Sequence, residues 1–203
     1  MASGVETRRT QAERSAATTG ELVRTARELF ADKGFADTSI DDIVSAAGVT
    51  RGALYHHFDS KTDVFRAVFE DLERELADRI MDAARGKRDP WKRIEAGCMA
   101  FLDACREPAM QRIVMLDAPA VLGWDESREI ELRYTMSLWH HALEAAMAEG
   151  KLSRRPVDPL AHLLFGAVCE AAMITARGGG DSGSLDLEMR RELKRLLAAL
   201  AKS

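Results

Sequence analysis

Apolar residues recur in this chain at intervals of three and four along nearly its whole length, and the repeat breaks at Gly, Pro and Ser/Asp positions. A helix turns every ~3.6 residues, so this spacing gathers apolar side chains on one helical face, whereas a half-buried strand needs strict alternation. Strand-like alternation is hard to find. The pattern predicts an all-α fold, with an N-terminal three-helix unit and a C-terminal bundle of about five or six helices.

Start and stop signals divide the chain. Leu22, Val23, Ala26, Leu29 and Phe30 form one stripe, with Thr18 and Glu21 in capping-box register, which predicts a helix over 20–33 stopped by Gly34. A short helix over 39–47 follows, with Thr38 and Asp41 in capping register and Gly48 at its end. A third opens after the N-cap Thr50 and runs towards Phe58, a residue suited to the core of the unit. Ser60 with Asp63 opens a long helix over 61–84, about 36 Å at ~1.5 Å per residue. Asp89-Pro90 starts another, which Pro108 interrupts before a shorter helix over 110–116. Pro119 and Gly123 then mark an irregular link. One long helix is expected over 124–149, one over 159–176 that is apolar nearly all round, and a last over 185–201 after a glycine-rich connector at 178–184.

The second and third helices are separated by a turn of about three or four residues containing Gly48, the spacing of a helix-turn-helix. In that motif the second helix of the pair enters the major groove with its N-terminal residues at the base edges. Here these are Thr50, Arg51 and Gly52. The Arg51 guanidinium can bond a guanine in bidentate fashion, Thr50 can meet a phosphate, a base or a thymine methyl, and Gly52 lets the backbone come close. Tyr55, His56 and Lys61 carry groups suited to phosphate contacts, which set register more than sequence. Adjacent helical residues point about 100° apart, so His56 and His57 do not form a metal pair.

The stretches Phe30-Ala31-Asp32-Lys33-Gly34-Phe35, Thr38-Ser39-Ile40-Asp41-Asp42-Ile43 and Ala46-Ala47-Gly48-Val49-Thr50-Arg51-Gly52-Ala53-Leu54-Tyr55-His56-His57-Phe58, with Ser60-Lys61, closely resemble the TetR family. The resemblance covers about forty residues in unbroken register. It implies a dimeric regulator, usually a repressor, whose helix after the DNA-binding unit links it to a ligand-responsive core. It also implies DNA contacts at Thr38 and Ser39, and again at Thr50, Arg51, Gly52, Tyr55, His56 and Lys61. The role of His57 stays open. The domain plan is a flexible tail over 1–17, a helix-turn-helix domain over 18–60, and an effector-binding and dimerisation domain over 61–203 with linking helix 61–84. Arg8, Arg9 and Arg14 in the tail offer a minor-groove arm as the rival to disorder.

Large adaptable side chains in the C-terminal part, Phe101, Met115, Trp124, Tyr134, Met136, Trp139, Phe165 and Met173, are candidates to line an effector pocket, with ordinary core packing as the rival reading. His140, His141 and His162 lie in the same region and read as satisfied or solvent-facing. Small residues Gly166, Ala167 and Ala171 permit close helix approach, and Leu193 and Leu197 sit on the face of the last helix; these are expected at a four-helix homodimer interface. Two recognition helices must meet half-sites roughly 34–36 Å apart, so a palindromic double-stranded operator demands the dimer. The expected function is a repressor released from that operator by a small apolar effector; the alternative is a dimeric regulator whose core senses no ligand.

Composition narrows this further. The net charge is −4, and residues 1–61 hold eight Lys/Arg against nine Asp/Glu, so DNA binding must be local rather than spread over a basic surface. Cys98, Cys105 and Cys169 are an odd number without an export signal, which reads as reduced thiols. No uninterrupted apolar run approaches the ~20 residues of a membrane span, so cytoplasmic placement and no membrane partner are expected. No Glu-x-x-His pair, Walker loop, His-Glu-x-x-His or Gly-x-Ser-x-Gly elbow is present, which argues against an enzyme, a metal or a cofactor.

Overall fold

The computed structural model describes residues 10–177 and 182–201, and within them every regular element is helical. Arg8, Arg9 and the glycines 178–180 lie outside the described residues. The chain forms two compact units, one through Val68 and one from Phe69 onward.

The first unit holds α1 (Gln11–Lys33), α2 (Ile40–Ala46), α3 (Arg51–Tyr55) and the first turns of α4 (Lys61–Ala84). Helix α1 starts nine residues earlier than the sequence signals suggest, so residues 11–17 are helix rather than tail. The capping box is made by Thr10 and Glu13, while the Thr18 and Thr19 hydroxyls donate back to the Arg14 and Ser15 carbonyls at 3.0 and 3.1 Å. That back-bonding is open to Thr inside a helix, and it removes Thr18 as a cap. The box on α2 is likewise displaced by one residue: Ser39 Oγ accepts from the Asp42 N–H at 3.1 Å, and Asp42 Oδ2 accepts from the Ser39 N–H at 2.8 Å. Phe30, Phe35 and Phe65 close the core, with ring centroids 5.3–5.8 Å apart in edge and tilted geometry. Leu22, Ile43, Leu54 and Phe58 are buried with them.

The second unit continues with α5 (Pro90–Ala104), a π-helical segment (Met110–Asp117) running into α6 (Ala118–Val121), α7 (Trp124–Arg133), α8 (Thr135–Ala148), α9 (Val157–Arg177) and α10 (Ser182–Leu200). Helix α8 packs on α5 and α9, and α9 on α10. The bundle has more segments than expected, for two reasons. The expected 110–116 helix is π-wound, with the Ala118 N–H reaching Ile113 O, and Pro119 belongs to a helix rather than a link. Proline cannot donate and crowds the carbonyl four residues before it, which fits the widened turn. The single helix expected over 124–149 is broken at Tyr134, where φ is −111° and ψ is −85°. Thr135 begins the new helix, its hydroxyl donating at 2.8 Å to the buried Glu73 carboxyl of α4. The last helix starts at Ser182 rather than residue 185.

Among the described residues one stretch, Val157–Thr175, is by length and composition apolar enough to cross a membrane. It packs here against α8 and α10 and is interrupted by Asp158, His162 and Glu170. Its surround is one-sided: Leu164, Phe165 and Val168 are buried, while Leu163 is 73% exposed and His162, Gly166 and Glu170 are exposed.

Candidate DNA interface and effector cavity

Helix α2 ends in a glycine-closed turn. Gly48 has φ +66°, a conformation that suits glycine, and lets the Val49 N–H reach Val44 O at 3.0 Å and the Gly48 N–H reach Ser45 O at 3.3 Å. Thr50 then caps α3, its hydroxyl accepting from the Ala53 N–H at 3.1 Å. Thr50, Arg51, Gly52, Tyr55 and His56 are exposed, and so is Ser39 at the start of α2. A Cβ built on Gly52 would meet only Thr50 Oγ1 within 4 Å, at 3.8 Å, so the open space lies on the outer side.

Of the residues expected at DNA, Arg51, Thr38 and Lys61 are tied to other elements of the unit, beside the local caps made by Ser39 and Thr50. Arg51 Nε and a terminal guanidinium nitrogen each donate at 2.5 Å to the two Asp41 oxygens, a fork between α3 and α2. The guanidinium beside it holds the Asp41 carboxyl below its ordinary value. Thr38, expected to face DNA, is buried and donates its hydroxyl to Gly34 O at 2.8 Å. Lys61 points inward too: Nζ donates to Phe35 O at 2.7 Å and Thr38 O at 2.8 Å and lies 4.2 Å from the Phe35 ring centroid. Thr38 and Lys61 therefore fix the loop between α1 and α2, and the exposed contact set is narrower than the sequence suggests. His57 shares a contact with Thr19 at 3.3 Å. Asp41 is the residue that sequence reasoning missed; its place opposite Arg51 depends on how α2 and α3 pack.

In the second unit a cavity of about 230 Å³ opens between α4, α5 and α8. Of the eight residues expected to line a pocket, Phe101 and Trp139 do so. Met115 and Met136 are buried in the core away from it, and Phe165 packs edge-on to Phe101 at 6.1 Å. Tyr134 receives the Arg74 guanidinium, Trp124 is 65% exposed under Arg128, and Met173 is half-buried outside the lining. The remaining wall comes from residues that aromatic composition cannot flag, including Ile80, Ile94, Leu138 and Thr135. One signal was available in Gly97, which sits inside α5 where glycine costs about 1 kcal/mol relative to alanine. A Cβ there would stand 3.1 Å from Ile80 Cγ2 in the cavity wall.

Behind Thr135 lies a buried polar cluster. Glu73 is 1% exposed, and burial pushes its carboxyl up to about 8, against the opposing hydrogen bond from Thr135. Glu131 is raised by burial as well and lies 2.8 Å from the Arg128 guanidinium. Burial pushes the Cys98 and Cys105 thiols up to about 12, so both are poor nucleophiles at neutral pH.

Of the five residues expected at a dimer interface, Ala171, Leu193 and Leu197 are buried inside the chain's own α9 and α10 packing, because those helices turn these faces to each other and to α5. Gly166 is exposed and Ala167 half-buried. Leu163, Leu187 and Leu196 are the exposed leucines of these two helices.

Residues 22–68 match the family model described as bacterial regulatory proteins, tetR family, and residues 91–200 match the model described as tetracyclin repressor-like, C-terminal domain. The chain is 32% identical to the HTH-type transcriptional regulator CymR of Pseudomonas putida, over 79% of this chain and 80% of that one. It is 28% identical to the HTH-type transcriptional repressor KstR2 of Mycolicibacterium smegmatis, over 83% and 82%. A TetR-family transcriptional regulator from Pectobacterium atrosepticum has a similar solved structure, with a TM-score of 0.79 and 34% identity over 95% of this chain and 97% of that one. The capped helix pair, the exposed α3 and the matches across both units have one reading: the chain belongs to the TetR family of DNA-binding transcriptional regulators.

Proposed function

We propose that the protein is a cytoplasmic homodimeric repressor that holds a near-palindromic operator through α3 and leaves it when a small effector enters the α4–α5–α8 cavity. The observation that carries the DNA reading is the exposed row Thr50, Arg51, Gly52, Tyr55 and His56 at and along α3. In this assignment Arg51 and Thr50 read base edges, while Ser39, Tyr55 and His56 bond phosphates. Thr38 and Lys61 act by holding the α1–α2 loop, Lys61 keeping one N–H donor for a phosphate. Residues 18–60 with the start of α1 serve as the DNA-binding domain, and 61–203 as the effector and dimerisation domain.

Dimerisation uses the face of α9 that carries the exposed Leu163 and Gly166 and the half-buried Ala167. The spacing of three and four from Leu163 puts the α9 residues on one face, and no side chain fills the space beside Gly166. Leu163→Arg is expected to convert the dimer to monomer by light scattering. Effector control needs only that the ligand bind the DNA-free state more tightly than the DNA-bound one. The cavity wall bears on α4 through the Thr135–Glu73 hydrogen bond, which supports a sensing core.

Gel-shift titration against the DNA flanking the protein's own gene, with random competitor and varied salt, tests the reading. Specific, salt-sensitive binding is the expected result; equal affinity for competitor would overturn it.

A further inference from the structure

The cavity has a closed end and an open end of different chemistry. Ile94, Cys98, Phe101 and Thr135 are buried at the closed end, while Met81, Arg93 and His141 are exposed at the other. The open end adjoins a groove lined by Arg85, Lys87 and Arg88, which shares Met81, Ala84 and Arg93 with the cavity. The segment from Met81 to Arg93 carries five Lys/Arg against two Asp, in a chain whose net charge is −4.

Both aspartates are committed: Asp82 pairs with Arg85 at 2.6 Å, and Asp89 caps α5 by accepting the Trp91 N–H at 2.9 Å. Arg93 Nε donates to Lys87 O at 2.7 Å, which folds the segment back and sets Arg93 at the rim. Lys87 and Arg88 make no side-chain ion pair among the described residues. At the closed end the Thr135 hydroxyl is given to the buried Glu73 carboxyl. An acidic group pushed to that end would meet a second carboxyl and no cation in the buried wall, since the Arg128 guanidinium behind it is paired with Glu131.

We propose that the effector is an amphipathic anion, with its apolar body in the cavity and its acidic head at the rim formed by Arg85, Lys87, Arg88 and Arg93. The inference rests on the cavity being the effector site. An apolar cavity of ~150 Å³ holds benzene, so one of about 230 Å³ takes a body larger than a single aromatic ring. A neutral hydrocarbon leaves the rim unused, and a cationic amphiphile is repelled by it.

Octanoate, 1-octanol and octylammonium share one chain and differ only in charge. Their binding to the full-length protein is followed through the emission of Trp139, a lining residue, with Trp139→Phe assigning the signal. At low salt octanoate should bind about three- to fivefold more tightly than octanol, and octylammonium most weakly. The preference should shrink as added salt shortens the Debye length towards ~3 Å at 1 M. The double variant Lys87→Glu/Arg88→Glu should remove the preference while leaving octanol binding unchanged. Octanol binding as tightly as octanoate, or octanoate binding unaffected by the charge reversal, would overturn the head-group assignment and leave the cavity reading standing. Failure of all three to bind would overturn the cavity reading itself.

Discussion

The two units use polar side chains in opposite ways. In the first, the Arg51–Asp41 fork is open to water, with the two side chains 60% and 66% exposed. In the second, Glu73 and Thr135 meet out of contact with solvent. An exposed ion pair contributes little to stability, because water and salt compete for both partners. It can therefore be given up when a base or phosphate arrives. At Glu73 desolvation outweighs the Thr135 hydrogen bond and the nearby Arg128 charge, which keeps the carboxyl neutral, and that hydrogen bond fixes the chain where it sits. The first pair is a contact awaiting exchange; the second defines where α7 ends and α8 begins.

The sharpest way to break this comparison is to titrate stability. Burial raises the Glu73 carboxyl from 4.5 to about 8 in the folded state, so its favourable contribution is complete below its unfolded value and is lost as pH rises through the folded one. Raising the pH from about 5.5 to about 8.5 should lower unfolding stability by on the order of a few kcal/mol, and Glu73→Gln should flatten most of that slope. Glu131, also raised, should supply the remainder in the same direction. A pH profile identical in the wild type and Glu73→Gln would remove Glu73 from this role.

Next in size is Lys61→Ala. Losing the charged donor to Phe35 O and Thr38 O should cost about 2 kcal/mol of stability in urea unfolding. If its only task were a phosphate contact, stability would stay unchanged and the salt slope of DNA binding would fall by about one. Arg51→Ala should weaken operator binding roughly 10- to 100-fold and relax preference at one base position while leaving unfolding unaffected. Equal losses on operator and random DNA would refute base reading. Ser39→Ala removes a reciprocal cap and should cost about 1 kcal/mol in thermal unfolding. Smallest of all, Asp41→Asn should leave stability unchanged and raise affinity for random DNA more than for operator, because it frees the guanidinium without moving it. A drop in affinity for both would mean that Asp41 instead holds Arg51 in its reading position.

Much of the first unit is legible in the sequence. Gly48, Thr50 and the stripe on α1 act through the local backbone, and the exposed row on α3 follows from them. Helix ends are less so: Thr10, Thr18 and Thr19 compete as caps for α1 and Thr38 and Ser39 for α2, and an earlier helix start settled the first case while burial of Thr38 settled the second. Thr38 was drawn inward by the Gly34 carbonyl, which no spacing rule can anticipate. In the second unit, the eight bulky residues expected around the effector were chosen for size, and only Phe101 and Trp139 reach the cavity. Size says that a side chain is apt for burial but not which neighbour it is buried against.

The sequence by itself determined the helical class, the capped recognition pair, the glycine turn and the family, because each is written in residues close together along the chain. Tertiary structure alone decided the break at Tyr134, the inward turn of Lys61, the Arg51–Asp41 fork and the walls of the cavity. Each of these joins residues that only packing brings together, and the free energy that selects them, desolvation against a particular partner, does not exist until the helices have met.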